Sequence, residues 1–198
     1  MTRRVVIALL TPVPWAPPGI DPARWRAALA EDVVDLLAGL AHVEPAIAAT
    51  AADRPLASAV AWPRMPVYEV PRATVRPALE AAATDGYDEA AVLAADVPDL
   101  PGLLVGKLLR PLSTRGVSVA PAGSGVGLLG LAARLPVPDW LPDVDLDSAS
   151  VDDVRMAAPR PAMVATAPVW RRLRAPADLA TLDTGLDGWP ATRALLTG

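Results

Sequence analysis

Short apolar runs, separated by proline-rich or polar loops, are the main feature of this chain. Residues 5–10 form a continuous apolar run that leads into a proline-rich loop at residues 11–19, a pattern typical of a strand covered on both faces of a parallel sheet. A second such run occupies residues 89–95, and residues 117–120 alternate as a strand does. We expect these three strands to lie in one sheet, with the first two parallel and adjacent or nearly so, since helical segments lie between them.

Helical patterns lie between and beyond these strands. Asp21-Pro22 provides an N-cap followed by proline at the first helical position, and apolar residues then recur at helical spacing as far as Leu40. The other predicted elements are helices at 74–83 and 103–109, weaker strands at 43–49, within 59–70 and at 126–132, a surface loop at 135–154, and two short C-terminal helices that open at Pro176 and Pro190. This alternation predicts a single α/β domain, residues 1–198, with a mostly parallel sheet.

Composition excludes several classes of function. The chain has 198 residues, 53% of them apolar, which suits one domain with one sizeable core. A formal net charge of -4 without a basic stripe predicts neither a nucleic-acid partner nor a membrane partner. Cysteine is absent, so disulfides, thiolate nucleophiles and thiolate-bound metals are excluded. No apolar stretch approaches the roughly 18 residues of a membrane helix, and we expect a soluble, cytoplasmic protein.

Asp96 ends the apolar run at residues 89–95 and is followed by a proline-broken loop. In open α/β sheets, ligands bind beyond the carboxyl ends of the strands, so Asp96 stands where a ligand of a metal or of a ribose would stand. A simple strand-terminating Asp-x-Pro turn explains the same residues equally well. Local pattern alone leaves both interpretations open.

Four segments together resemble a known family. Residues 94–100 (AADVPDL) are similar to the "G-x-D-x-P-x-L" motif of GT-A-type nucleotide-diphospho-sugar transferases, especially the short bacterial glycosyltransferase-like proteins. Phospholactate and molybdenum-cofactor guanylyltransferases are more distant relatives. In the expected order, residues 10–14 (LTPVP) resemble the first-strand loop, residues 121–130 the "P-A-x-D-G-G-Y-x-L-x-G" segment and residues 172–179 the late "D-V-D-T-P-E-D-L" segment. The resemblance spans nearly the whole chain and implies a three-layer α/β/α sandwich.

The resemblance also implies a nucleotide site, with Asp96 as its catalytic residue. The other residues that the matching segments place at the nucleotide are Thr11, Pro12, Trp15, Gly123, Ser124, Gly125, Arg172 and Arg174. This chain departs from the family at the charged positions. Thr11 stands where the family has a phosphate-binding cation, Ser124 replaces the acidic residue of "D-G-G", and Arg172 and Arg174 replace both aspartates of "D-V-D".

Only Asp96 remains of the family's acidic positions, and a magnesium site usually needs more than one carboxylate ligand. We therefore expect no cofactor and no divalent metal, and only weak binding of a nucleotide or nucleotide sugar. Two interpretations of Arg172 and Arg174 stay open. They stand in for the metal beside a diphosphate, or they are ordinary surface residues of a protein that has lost its activity, which is the interpretation we favour.

The densest cluster of carboxylates contains Asp143, Asp145 and Asp147. Their spacing begins like a calcium-binding loop, but Ser148 replaces the glycine of the sharp turn and Val154 replaces the bidentate glutamate. A solvated acidic loop is therefore the favoured interpretation. A displaced copy of the "D-V-D" segment, with a metal site, is the alternative.

Two smaller features carry less chemistry. His42 is the only histidine and has no recognisable nucleophile or acid partner, so a hydrolase triad is not supported. The glycine-rich residues 123–127 match neither the phosphate-loop nor the dinucleotide fingerprint in context. A tight turn and a close backbone approach to a ligand both remain open for them.

These observations predict a glycosyltransferase-like or nucleotidyltransferase-like protein with a degenerate site. The alternative is a non-catalytic binding or scaffold protein that acts through a protein partner or a homodimer. In the first case Asp96 should lie at the rim of a cleft formed with the loops at residues 11–19 and 122–125, because all three follow strands whose carboxyl ends should converge.

Overall fold

A seven-stranded mixed sheet forms the centre of the protein. The computed structural model describes residues 2–123 and 125–197. The strands are β1 (Arg4–Leu9), β2 (Glu44–Ala49), β3 (Val67–Glu69), β4 (Glu89–Ala94), β5 (Val117–Pro121), β6 (Leu128–Arg134) and β7 (Val164–Thr166), in the spatial order β3-β2-β1-β4-β6-β5-β7. Strand β6 is antiparallel to β4 and β5, and every other pairing is parallel.

The predicted arrangement of the central strands is confirmed. Strands β1 and β4 are adjacent and parallel, with Val6 opposite Ala91 and Leu9 opposite Ala94. Strand β5 lies in the same sheet, separated from β4 by the antiparallel β6. Apart from Arg4, all residues of β1 and β4 are buried, as expected of strands covered on both faces.

Helices cover both faces of the sheet and give three layers. They are α1 (Pro22–Ala38), α2 (Arg54–Val60), α3 (Val75–Thr84), α4 (Gly102–Leu109), α5 (Val151–Ala157) and α6 (Pro190–Thr197). Alternate residues of β1 point to opposite sides: Ile7 packs with α3 and α5, whereas Ala8 packs with α1, α2 and α4. The three-layer α/β/α sandwich is therefore confirmed. None of the helices in the described part of the chain has the length and hydropathy that a membrane-spanning segment requires.

The prediction of a surface loop at residues 135–154 is wrong for its second half. Leu141, Val144 and Leu146 are buried in the core under α3 and β5, and the backbone N–H of Val75 donates to the carbonyl of Val144. Helix α5 begins inside this stretch, capped by Ser150. Because isolated apolar residues between prolines and aspartates show neither a helical nor a strand period, their burial could not be predicted from the sequence.

Two short C-terminal helices are present as predicted, a 3-10 turn at Pro176–Thr181 and α6. Helix α6 packs against α1 and is held by Asp32, a fully buried residue of α1. The Asp32 carboxylate accepts hydrogen bonds from the backbone N–H groups of Ala191 (2.9 Å) and Thr192 (2.8 Å). Burial raises the pKa of Asp32, although hydrogen bonds from Thr192 and Ala191 oppose that effect.

Asp32→Ala is expected to lower the free energy of unfolding by about 0.5–2 kcal/mol, because it removes both acceptors of the α6 N–H groups. Asp32→Asn keeps one acceptor oxygen and should cost less. Since the pKa of Asp32 is higher in the folded state, its contribution is greatest below the ordinary value of 3.8 and is lost as the pH rises through the raised value. As the pH is lowered from about 7 to about 4, the wild type should therefore gain stability relative to Asp32→Asn, and urea unfolding at each pH measures this difference. Equal losses for the two variants at neutral pH would show that the ionised carboxylate is required.

Candidate functional site

The carboxyl ends of β1 and β4 bring together the loops that the sequence assigned to a nucleotide site. Asp96 follows β4, Thr11 follows β1, and the segment at residues 170–174 runs across both strand ends. The backbone N–H of Leu173 donates to the Asp96 carbonyl (2.9 Å), so this segment lies directly against the end of β4. The first loop and the loop at residue 123 contact the same segment, through the Pro12 carbonyl and the Gly123 N–H, so the three predicted loops meet at a segment that the prediction did not include.

Arg172 fills the space in front of Asp96. Its Nε and Nη2 atoms donate to the two Asp96 oxygens at 2.7 and 2.8 Å, in a bidentate fork. The Nη1 atom donates to the carbonyls of Leu128 (3.1 Å) and Leu146 (2.8 Å), and Nη2 also donates to Asp147 Oδ1 (2.7 Å). A guanidinium has five N–H donors, and all five are therefore used by oxygens of this chain.

Burial and charge act in opposite directions on Arg172, which is 3% exposed. Burial lowers the pKa of the guanidinium, but the negative charges and hydrogen bonds of Asp96 and Asp147 outweigh that effect and raise it above its ordinary value. Arg172 therefore carries its positive charge at neutral pH. Its interpretation as an ordinary surface residue is wrong.

Arg174 completes the cluster on its outer side and is partly exposed. Its Nη1 atom donates to the Pro12 carbonyl (3.0 Å) and to Asp96 Oδ2 (3.3 Å), and its Nη2 atom donates to Asp147 Oδ2 (3.0 Å). Two guanidinium groups thus face two carboxylates, so their charges balance. We call Asp96, Asp147, Arg172 and Arg174 the strand-end cluster.

A second buried carboxylate, that of Asp99, lies beside this cluster. It accepts hydrogen bonds from Arg171 Nη2, from Trp170 Nε1 (3.4 Å) and from the backbone N–H of Asp183 (3.1 Å). The Arg171 guanidinium also lies 4.2 Å from the centre of the Trp170 ring. Asp99 belongs to the matching segment at residues 94–100, but no sequence pattern indicates its partners, which lie more than 70 residues away.

Trp15 and its loop pack against an apolar cluster. The Trp15 and Trp25 rings lie 5.6 Å apart, and Leu173 and Leu195 pack in the same cluster. Thr11 is buried, and its carbonyl accepts a hydrogen bond from Arg26 Nε (3.1 Å). The first loop therefore packs against the C-terminal part of the same chain.

The glycine-rich segment approaches its own chain. The backbone N–H of Gly123 donates to the Trp170 carbonyl (2.8 Å), and Gly125 is exposed with a φ of +80°. At Gly127, whose φ is +81°, a Cβ atom would lie 2.6 Å from the Leu146 carbonyl oxygen. The close backbone approach is thus made to residues 146–147. Ser124 lies outside the described residues.

Asp96 does not occupy the rim of an open cleft as predicted. Its residue surface is 1% exposed, because Arg172 and Arg174 cover the carboxylate. The loop at residue 12 does converge on it, through Arg174.

The acidic run is divided among different partners. Asp143 pairs with Arg72 (2.7 Å), exposed Asp145 accepts from the backbone N–H of Asp147 (2.8 Å), and Asp147 joins the strand-end cluster. A purely solvated loop is therefore the wrong interpretation for Asp147. Across residues 2–123 and 125–197, no group of three or more His, Cys, Asp and Glu side chains is arranged to hold a metal ion.

Sequence comparison identifies no matching family model, and no curated protein matches. Solved structures do match over almost the whole chain. A protein from Desulfovibrio desulfuricans assigned as a nucleotide-diphospho-sugar transferase is 18% identical with a TM-score of 0.64, covering 98% of this chain and 95% of that one. The 4-diphosphocytidyl-2C-methyl-D-erythritol synthase of Anaerococcus prevotii is 8% identical with a TM-score of 0.62, covering 98% and 96%.

Glucosyl-3-phosphoglycerate synthase from Mycobacterium tuberculosis, solved with Mg²⁺ and uridine diphosphate, is 14% identical with a TM-score of 0.56 and covers 98% of this chain and 78% of that one. At these identities the similarity concerns the fold. The strand order, the three layers and these matches agree: the chain has the fold of nucleotide-diphospho-sugar transferases and related nucleotidyltransferases.

Proposed function

We propose that this chain is a glycosyltransferase-like or nucleotidyltransferase-like protein whose strand-end site is closed by its own side chains, and that it acts as a non-catalytic binding or scaffold protein. The observation that carries this proposal is the complete use of the five Arg172 donors, two of them by Asp96. The ligand in that role is a protein partner or a second copy of the chain.

Metal-dependent transfer requires a dication that neutralises the diphosphate. The Mycobacterium tuberculosis neighbour is described with Mg²⁺ and uridine diphosphate. In this chain, a dication that approached Asp96 would have to displace a bidentate guanidinium and would be repelled by both Arg172 and Arg174. Asp96 and Asp147 are already neutralised by these two residues, so little attraction for a metal remains.

Metal-free transfer, with arginines in place of the metal, is supported less well by the geometry. A diphosphate would need free guanidinium donors, whereas Arg172 has none left and the Nη atoms of Arg174 contact Pro12, Asp96 and Asp147. Trp15, which would face a base, packs against Trp25. The contacts of both arginines and of the first loop with the rest of the chain therefore support a closed site.

Isothermal calorimetry of the wild-type chain tests this proposal. We expect no heat beyond dilution for MgCl₂ or MnCl₂, for GTP or UDP-glucose, or for each nucleotide with each metal. Thermal unfolding gives an independent check, because a ligand present at about 100 times its dissociation constant adds about 2.7 kcal/mol of stability.

Micromolar binding that requires metal, is lost in Asp96→Ala and persists in Asp152→Ala would contradict the proposal. Asp152 is a suitable control because it is an exposed aspartate outside the strand-end cluster. Metal-independent binding that Arg174→Ala abolishes would instead favour a transferase that uses its arginines.

A further inference from the structure

Three buried carboxylates hold the C-terminal part of the chain, residues 170–197, which we call the closing segment. Asp99 accepts from three groups of this segment, Asp96 accepts from Arg172 and Arg174, and Asp32 accepts from two N–H groups of α6. Among the described residues, every recorded donor to these three carboxylates lies in the closing segment. The segment is therefore attached at three separate points by charge-assisted hydrogen bonds.

Apolar contacts follow the same path. Leu173 is 1% exposed and packs with Trp25 and Leu29 of α1. Partly buried leucines of the segment join this cluster, at positions Leu179, Leu182, Leu195 and Leu196. The closing segment thus crosses the ends of β4 and β1 and reaches α1, over the place where open α/β sheets bind ligands.

The closing segment adds no strand to the sheet in the part of the chain that the structure describes. Its backbone bonds to the sheet region are those of Trp170 with Pro121 and Gly123, and that of Leu173 with Asp96. Because the segment supplies none of the seven strands, it can leave without breaking a pairing between strands. Local unfolding of this kind costs less free energy than global unfolding.

We propose that residues 170–197 form a strap that closes the strand-end site reversibly and opens as one unit while the sheet stays folded. Opening exposes Asp96, Asp99 and Asp147 to solvent and frees Arg171, Arg172 and Arg174, the arginines that pair with these carboxylates. This inference rests on the proposed function and deepens it: the arginines that close the site, Arg172 and Arg174, belong to one segment, so release of that segment would open the site.

Thiol labelling tests the strap directly, because the chain contains no cysteine. Leu173→Cys places a thiol on the buried face of the strap, and Leu131→Cys places one at an equally buried position of β6. At low urea, we expect the thiol at position 173 to react at least about tenfold faster than the thiol at position 131, after correction for each variant's global stability. Arg171→Gln, added to each variant, weakens the contact with Asp99. It should increase the labelling rate at position 173 further and leave the corrected labelling rate at position 131 unchanged.

Equal corrected rates at the two positions would overturn the strap, since both thiols would then react only through global unfolding. If Leu173→Cys does not fold, hydrogen exchange on the wild type replaces it. The amides of Leu173, Ala191 and Thr192 should then share one opening free energy that is lower than that of the β1 amides, and unrelated or equal values would overturn the proposal. Metal-dependent nucleotide binding would contradict the proposed function, whereas the labelling ratio tests the strap alone.

Discussion

Arg172→Ala is expected to lower the free energy of unfolding by about 3–5 kcal/mol, the range measured when one partner of a buried ion pair is removed. The loss is large because Asp96 would remain buried without its bidentate partner, and the carbonyls of Leu128 and Leu146 would lose a donor. Urea unfolding of both proteins, followed by circular dichroism, gives the difference.

Arg174→Ala serves as the matched control. Its side chain contacts the same two carboxylates but is 26% exposed, so solvent screens its ion pairs and a loss of about 1 kcal/mol or less is expected. Arg172→Lys should recover little stability, because a single ammonium cannot reproduce the fork. A loss below about 1 kcal/mol for Arg172→Ala would show that water or another side chain neutralises Asp96 readily.

Gly127→Ala is expected to destabilise the protein more than Gly125→Ala. Both glycines have φ near +80°, so both substitutions carry a left-handed backbone cost of about 1–2 kcal/mol. At Gly127 the new Cβ would lie 2.6 Å from the Leu146 carbonyl oxygen. At Gly125 the new Cβ would have no described atom within 4 Å apart from those of the adjacent residues. Displacing residues 146–147 should add about 1–3 kcal/mol.

The comparison of these two variants isolates the close contact from the backbone strain. Urea unfolding measures both losses under identical conditions. Because Leu146 and Asp147 are partners of Arg172, Gly127→Ala should also weaken the strand-end cluster, and its effect should be smaller when combined with Arg172→Ala than when made alone. Equal losses for Gly127→Ala and Gly125→Ala would show that the loop moves aside at no cost.

Local sequence patterns were sufficient to predict much of the architecture. The apolar runs of β1 and β4 predicted buried neighbouring strands, the Asp21-Pro22 start predicted α1, and the order of four short motifs predicted the family of folds. Helix α2 and strand β7 were not predicted, because elements of seven and three residues are too short to show a clear hydrophobic periodicity.

The pairing of charges at the strand ends could not be predicted from the sequence. Arg172 looks like a surface residue in the sequence, and its burial follows from Asp96, which lies 76 positions earlier in the chain, and from Asp147, 25 positions earlier. Residue types showed that the charges of the family motif were reversed, but they could not show that these charges neutralise one another. Such pairing depends on which loops the sheet topology brings together, and a buried guanidinium is stable only where every donor meets an oxygen.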